Sequence, residues 1–220
     1  MDYRSQHFPG NEVDDYYKDI IGQINTIGTP LAEQAFQILS WILYAKEPLK
    51  KRVLLEAIEE TSEMDVLRPC MSLVIFSPAD EVFQFSHATT VRDFLLNSPK
   101  FEFKEMLLSR FELAKRCLKF LDSREFESLS IPHSIYTNPT IDGFGGYAAV
   151  FWVAHVREVE QEQLHILEGL SLIKFLFSEK KRDSVMKLNR KYVTGQTLLH
   201  VVAINGWFGL CHVLLEESAR

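Results

Sequence analysis

Two groupings of residues have the side-chain types that nucleophilic or acid–base catalysis uses. Cys211 directly precedes His212, and His87 lies six residues before Asp93. Successive residues of a helix point about 100° apart, so a cysteine and a histidine that are neighbours in one helix do not face each other. The His87 and Asp93 pair is a loose coincidence of residue types that gives no oriented triad. The sequence therefore predicts no catalytic residue, and an active site built from distant residues stays open as an alternative.

Nucleotide hydrolysis and metal binding also need recognisable spacings. A P-loop combines backbone amides with a lysine that holds phosphate and a hydroxyl that holds magnesium, in the pattern G-x-x-x-x-G-K-[ST]. The chain has no such pattern, and its densest glycine cluster, GFGG at 143–146, contains no lysine. The seven histidines are scattered rather than placed at the short spacings of metal sites. We therefore expect no enzymatic activity, no cofactor and no metal ion.

Composition places the chain among ordinary globular proteins. It has 220 residues, of which 46% are hydrophobic and 25% are charged, and its formal net charge is −6. A negative sum disfavours nonspecific attraction to nucleic acid or to an anionic membrane. No apolar run approaches the roughly 18 residues of a membrane span, and the first residues do not resemble a signal peptide. The three cysteines, Cys70, Cys117 and Cys211, lie in apolar stretches, which favours buried reduced thiols and a cytoplasmic or nuclear location.

Helical periodicity dominates the first part of the chain. The polar residues 1–16 predict a loose start, and Asp14 and Asp15 are well placed to begin a helix whose apolar stripe is Tyr17, Ile20, Ile21 and Ile24. A second helix, LAEQAFQILSWILYAK, has an apolar face that consists of Ala32, Ala35, Phe36, Leu39, Ile42 and Leu43. Pro48 ends this helix and opens a third over PLKKRVLLEAIEE, and MDVLRPCMSLVIF passes from an apolar helical segment into a strand.

A β-hairpin signal follows these helices. In LVIFSPADEVFQFSH two β-prone runs flank the turn residues SPAD, and TTVRDFLL then resumes helical spacing. Three helices followed by a hairpin is the order of a winged helix-turn-helix. The predicted fold class is therefore mainly α: a winged helix with a small β-hairpin, a helical linker domain, and a C-terminal ankyrin-like helix pair.

The second part of the chain predicts further helices. A helix between Lys100 and Phe126 has an apolar face that consists of Phe111, Ala114, Cys117, Leu118 and Leu121. A loop through SIPHSIYTNPTIDGFGG separates it from two more helices, YAAVFWVAHVREVEQ and LSLIKFLFSEK. The aromatic residues of these stripes are expected in the core; they are Phe36, Trp41, Phe151 and Trp152.

The end of the chain fits one ankyrin repeat. The repeat pattern T-P-L-H-x-A-A lies on TLLHVVA, where Thr197, Leu199, His200 and Ala203 match it, whereas Leu198 replaces the proline and Val202 an alanine. Gly206 stands where the chain needs backbone freedom after the first helix of the repeat. A single repeat cannot bury its apolar face alone. We therefore expect an interaction surface here that includes Trp207, Leu210 and Leu214.

These stretches, taken in order, resemble the region after the nucleotide-binding domain of fungal NACHT-ankyrin proteins, which are NLR-like members of the STAND class of signalling ATPases. YYKDIIGQI is similar to the last helix of the NACHT module, and AEQAFQILSWILYAKEPL to the first winged-helix segment. FSHATTVRDFLL resembles the histidine-containing end of the winged helix. FELAKRCLKFL and GYAAVFWVAHV resemble the helices that lead to the ankyrin array, although Arg110 stands where the family usually has a histidine.

The resemblance implies a domain order and a function. The domains would be a NACHT-like helix at 1–30, a winged helix at 31–98, a helical linker at 99–190 and an ankyrin-like repeat at 191–220. The chain would be a non-catalytic module that couples a nucleotide switch to an ankyrin sensor in innate immune signalling. Its partners would be proteins: an upstream nucleotide-binding domain, and downstream repeats or another chain. His87 would approach the diphosphate bound in the NACHT domain, with no membrane involved.

DNA binding is the alternative that a winged helix itself suggests. A recognition helix needs exposed basic or amide side chains, and the third helical segment offers only Arg68. The densest basic patch consists of Lys46, Lys50, Lys51 and Arg52. We interpret this patch as a solvated helix start rather than as a nucleic-acid surface.

Overall fold

The computed structural model is mainly helical and contains one small antiparallel sheet, as the sequence predicts for the fold class. It describes residues 10–59, 62–97, 105–124, 126, 143–162, 178, 180–181, 184–185, 197–204, 206, 211 and 215. The chain divides into two compact units, Met1–Leu108 and Ser109–Arg220. No helix in these described ranges is long and apolar enough to cross a membrane.

Helices and strands alternate in the first unit. Their bounds are α1 Gly10–Thr26, α2 Thr29–Tyr44, β1 Leu49–Lys50, α3 Lys51–Ala57, α4 Glu63–Cys70, β2 Val74–Ser77, β3 Val82–Phe85 and α5 Ala88–Asn97. The sheet order is β1-β3-β2, and both pairings are antiparallel. Strands β2 and β3 form the predicted hairpin, in which Ile75 pairs with Gln84 and Phe76 with Phe83.

Helix α2 lies at the centre of the first unit and packs against α1 and α4. Pro30 is in its first turn, where the missing N–H costs nothing, and Gly28 before it has a φ of 106° that favours glycine. The helix is buried on more than the predicted face, because Ile38, Ser40 and Trp41 are buried as well. Ile42, which was predicted on the apolar face, is only half-buried. The prediction of one stripe was wrong here because a central helix is covered on several sides.

Helix α1 begins earlier than the sequence predicts. The expected loose start over 1–16 is wrong from Gly10 onward, where the helix begins. The predicted start at Asp14 and Asp15 therefore lies inside the helix, about one turn after its first residue. The four predicted apolar positions are all buried, namely Tyr17, Ile20, Ile21 and Ile24.

Strand β1 is absent from the sequence prediction. Leu49 and Lys50 pair with Phe83 and Val82, and the Lys51 N–H donates to the Glu81 carbonyl over 2.8 Å. The predicted helix from Pro48 therefore begins only at Lys51. Two residues are too few to show strand periodicity, so the pairing with β3 creates this strand.

In the described part of the second unit, the helices with assigned bounds are α6 Arg110–Asp122, α7 Phe144–Glu162 and α8 Leu198–Ile204. Helices α6 and α7 pack against each other, and Arg110 Nε lies 3.6 Å from Glu158 Oε2 between them. Ser109 caps α6 by accepting the Glu112 N–H over 3.2 Å. At the other end, Lys181 Nζ donates to the Asp122 carbonyl and carboxylate.

Two predictions for the second unit need correction. The expected helix from Lys100 to Phe126 spans Arg110–Asp122, because Ser109 caps its start; residues 100–104 lie outside the described part. On its apolar face Leu113 is buried, whereas Phe111 is only half-buried.

The glycines before Tyr147 led to a wrong prediction of where α7 begins. Part of the expected loop is helical, since α7 begins at Phe144 and includes Gly145 and Gly146. The turn into the helix is at Gly143, whose φ of 116° favours glycine. The predicted helix LSLIKFLFSEK and the loop before Gly143 lie largely outside the described residues.

Candidate functional site

His87 lies at the junction between the hairpin and α5. Strand β3 ends at Phe85, and the His87 carbonyl accepts the first helical N–H of α5, from Val91, over 2.9 Å. The side chain is exposed, as are those of Thr89 and Thr90 in the first turn of the helix. The His87 backbone therefore starts the helix, while its ring remains open to solvent.

The position of His87 is fixed by sheet pairing and by apolar packing. The Ser86 N–H donates to the Leu73 carbonyl over 3.0 Å and continues the hairpin ladder to the residue before His87. After it, Val91 and Phe94 of α5 are buried. The Phe94 ring lies 5.2 Å from the ring of Tyr17 in α1. The packed hairpin and helix thus hold an exposed imidazole, whose ring N–H can donate a hydrogen bond to an anion.

Two of the four side chains in the predicted basic patch, Lys51 and Arg52, are paired with acidic side chains. Lys51 Nζ lies 2.9 Å from Glu63 Oε2 and 5.4 Å from the centre of the Phe76 ring. Arg52 Nε lies 2.7 Å from Glu56 Oε1. A basic side chain held by a carboxylate must break that contact before it binds a phosphate. The patch is therefore poorly suited to bind the phosphates of DNA.

Helix α4 would be the recognition helix of a DNA-binding winged helix. Arg68 is exposed, but the helix has only eight residues and ends in Pro69 and Cys70, both of which are buried. Its first residue, Glu63, is the partner of Lys51. One arginine on a helix that begins with a glutamate offers little for base or phosphate contacts.

Helix α8 has the cap that the T-x-x-H spacing allows. Thr197 precedes the helix, and its hydroxyl oxygen lies 2.6 Å from His200 Nδ1. The same nitrogen accepts the Thr197 N–H over 3.3 Å, so His200 occupies the place of the acidic residue in a capping box. Gly206 follows the helix with a φ of 70°, a conformation that favours glycine.

Helix α8 has apolar residues on both its buried side and its exposed side. Val201 and Val202 are buried, whereas Leu199 is 37% exposed and Ile204 48%. Leu215, further along, is 57% exposed. A soluble helix with apolar residues on opposite faces normally has both faces covered. The predicted interaction residues Trp207, Leu210 and Leu214 lie outside the described residues.

The burial of Cys70 and Cys117 disfavours a role for either thiol as a nucleophile. Cys70 and Cys117 are buried, Cys211 is half-buried, and all three are free thiols. Burial raises the pKa of the Cys70 thiol, whose Sγ lies 3.9 Å from the Ala35 carbonyl. A protonated buried thiol is a poor nucleophile. His212, the neighbour of Cys211, is not among the described residues.

Sequence reasoning missed a buried polar pair in α7. The Tyr147 hydroxyl lies 2.9 Å from His155 Nε2, and both side chains are buried. The two residues are eight apart, which is about two helical turns and places them on one face. Aromatic rings of Phe144 and Phe151 lie 6.3 and 5.0 Å from the Tyr147 ring. The i, i+8 spacing was the available signal, although it does not distinguish this pair from a plain aromatic stripe.

Comparisons with known protein families, curated proteins and solved structures found no match to the chain. Among the residues described, no group of three or more His, Cys, Asp or Glu side chains is placed to hold a metal ion. The features that remain for a functional interpretation are the exposed His87, the partly paired basic patch, and the exposed apolar residues of α8.

Proposed function

We propose that the chain is a non-catalytic regulatory and interaction module of a STAND signalling protein of the NACHT-ankyrin type. In this proposal the first unit contains a winged helix and the end of the chain begins an ankyrin array. The module joins a nucleotide-binding switch to a repeat-based sensor in the cytoplasm. It acts through differential contacts with its neighbours rather than through turnover of a substrate.

The element order of the first unit is the observation that carries the proposal. Helix α2, strand β1, helices α3 and α4, and the β2–β3 hairpin follow one another as in a winged helix-turn-helix. The short strand β1 adds to this support, because it pairs with β3 and completes a three-stranded sheet of order β1-β3-β2. The segments that resemble the NACHT-ankyrin family lie on these elements in the same order.

The cap and the exposed side of α8 support the ankyrin part of the proposal. Thr197 and His200 make the contact that the repeat pattern places at the start of its first helix. Leu199 and Ile204 are exposed on a helix whose Val201 and Val202 are buried. In a repeat array the next repeat covers such a side, because each repeat gains stability from its neighbours.

The exposed ring of His87 is compatible with the role that the resemblance implies. The proposal assigns it to the diphosphate of a nucleotide bound in the neighbouring NACHT domain. An imidazole at the start of a helix would face that anion together with the free N–H groups of the first helical turn. The chain contains no P-loop of its own, so this contact requires the other domain.

A fused repeat tests the ankyrin proposal. We expect that one consensus ankyrin capping repeat of about 33 residues, attached after Arg220, raises the midpoint of thermal unfolding by several degrees. The added repeat would cover the apolar side that includes Leu199 and Ile204. Differential scanning calorimetry measures the change.

The matched control carries Ile204→Asp in the same fusion. Ile204 is exposed in the free chain, so the substitution should leave the unfused protein unchanged and reduce the gain in the fused one. An equal midpoint for the fused and unfused proteins would contradict the proposal. So would a gain that Ile204→Asp does not reduce.

A second prediction separates the proposal from DNA binding. We expect the full chain to leave the gel mobility of labelled duplex DNA unchanged at low salt, because Lys51 and Arg52 are paired with carboxylates. The DNA-binding alternative requires a shift that fades as salt is added. It also requires that replacing Lys50, Lys51 and Arg52 together with alanine removes the shift.

A further inference from the structure

The turn between β2 and β3 is exposed to solvent over its whole length. Strand β2 ends at Ser77, strand β3 begins at Val82, and the four residues between them, PADE at 78–81, are all exposed. Ser77 itself is half-buried. Its hydroxyl donates to Asp80 Oδ2 over 3.1 Å, in a hydrogen bond at the surface of the protein. The Ser77 oxygen therefore lies beside an exposed turn that another protein can reach.

Pro78 holds Ser77 in the backbone conformation of a kinase substrate. A proline disfavours the helical conformation for the residue before it, and Ser77 is the last residue of a strand. Protein kinases bind the acceptor segment in an extended form, and the proline-directed class requires a proline directly after the serine or threonine. Thr29 also precedes a proline, but it is the first residue of helix α2. Within the part of the chain that the structure describes, Ser77 alone combines an extended backbone with a following proline.

A phosphate on Ser77 would face carboxylates. The turn contains Asp80 and Glu81 and no basic residue. Because the Ser77 hydroxyl donates to Asp80, replacing its proton with a phosphoryl group removes this hydrogen bond and places two negative groups side by side. Lys50 is on the same face of the sheet, opposite Val82, but it lies two strands from Ser77, about 9–10 Å between backbones. Coulomb energy falls with distance, so the repulsion from Asp80 dominates.

The turn is also connected to strand β1. The Glu81 carbonyl accepts the Lys51 N–H over 2.8 Å, next to the pairs between β1 and β3. Glu81 has a φ of 56°, a left-handed conformation that costs energy for a residue with a side chain. The Ser77–Asp80 hydrogen bond closes the turn just before this residue. Losing that bond is therefore expected to loosen the contact between Glu81 and Lys51 as well.

We propose that Ser77 is a phosphorylation site for a proline-directed serine kinase, and that the phosphate loosens the turn between β2 and β3. In the reaction the Ser77 Oγ attacks the γ-phosphorus of ATP. A bond forms between Oγ and phosphorus, the bond from this phosphorus to the oxygen of the leaving ADP breaks, and the hydroxyl proton is released. This inference does not depend on the proposed signalling function.

Phosphorylation of the full chain tests the site. With MgATP and a purified proline-directed serine kinase, we expect phosphate on Ser77, located by mass spectrometry, and none on the helical Thr29. Pro78→Ala keeps the serine and removes the residue that the kinase recognises. With an unchanged far-UV circular dichroism spectrum, this variant should lose the phosphorylation of Ser77. The site is overturned if Ser77 of the unchanged chain stays unmodified, if Thr29 is modified equally, or if Pro78→Ala is modified at the same rate.

Hydrogen exchange followed by NMR tests the effect of the phosphate. We expect the Lys51 amide to exchange at least ~5-fold faster in the phosphorylated protein, because the turn that holds it is loosened. The Ser86 amide, which donates to the Leu73 carbonyl at the other end of the hairpin, should keep its rate. Asp80→Asn removes the charge beside the phosphate, so phosphorylation should accelerate Lys51 less in this variant. An unchanged Lys51 rate, or an acceleration that Asp80→Asn does not reduce, overturns the proposed loosening.

Discussion

Replacing Trp41 with alanine is expected to lower the free energy of unfolding of the first unit by about 3–5 kcal/mol. Trp41 is fully buried in α2, the helix around which α1 and α4 pack. Removing the indole loses its buried apolar area and leaves a cavity that the surrounding helices fill only in part. Urea denaturation followed by far-UV circular dichroism measures the loss without depending on tryptophan fluorescence.

Tyr16→Ala is the matched control for this prediction. Tyr16 is 56% exposed on α1, and its ring contacts the buried Tyr17 at 5.4 Å. Losing one exposed aromatic should cost no more than about 1 kcal/mol, since little buried area is lost. If Trp41→Ala costs as little as Tyr16→Ala, the central position of α2 in the first unit is wrong.

The sequence predicted elements well where one face is buried. The stripe of α1 and the β2–β3 hairpin both have a clear period, so their apolar residues and the turn between the strands could be predicted. The apolar face of helix α2 was predicted incompletely because this helix is buried on several sides. Its buried Ser40 donates to the Phe36 carbonyl over 2.5 Å and accepts the Leu108 N–H over 2.8 Å. A buried serine that satisfies a backbone group 68 residues away has no local signature.

The candidate site shows the same division between local and distant contacts. The Arg52–Glu56 pair has i, i+4 spacing, so the sequence alone makes it expected. The Lys51–Glu63 pair joins residues of two helices and depends on how α3 and α4 pack. The location of His87 at the end of the hairpin was predictable from the strand and helix signals around it. Its exposure was not, because accessibility depends on the packing of the whole unit.

Replacing Tyr147 with phenylalanine is expected to lower the stability of α7 by about 1–3 kcal/mol. The substitution keeps the ring and its contacts with Phe144 and Phe151, and it removes only the hydroxyl that lies 2.9 Å from His155 Nε2. His155 stays buried and loses this hydrogen bond, so the cost is that of desolvating a polar group. Hydrogen exchange of the α7 amides reports this loss for the second unit alone.

A double variant separates the polar pair from general packing. Tyr147→Phe combined with His155→Phe replaces both partners with apolar rings. When two partners depend on each other, replacing both lowers the stability by less than the sum of the losses from the two single substitutions. We therefore expect the double variant to protect the α7 amides better than the sum of the single losses predicts. Additive losses of amide protection would mean that the two side chains stabilise α7 independently. The hydroxyl–imidazole contact would then not explain why a tyrosine and a histidine occupy the buried face of this helix.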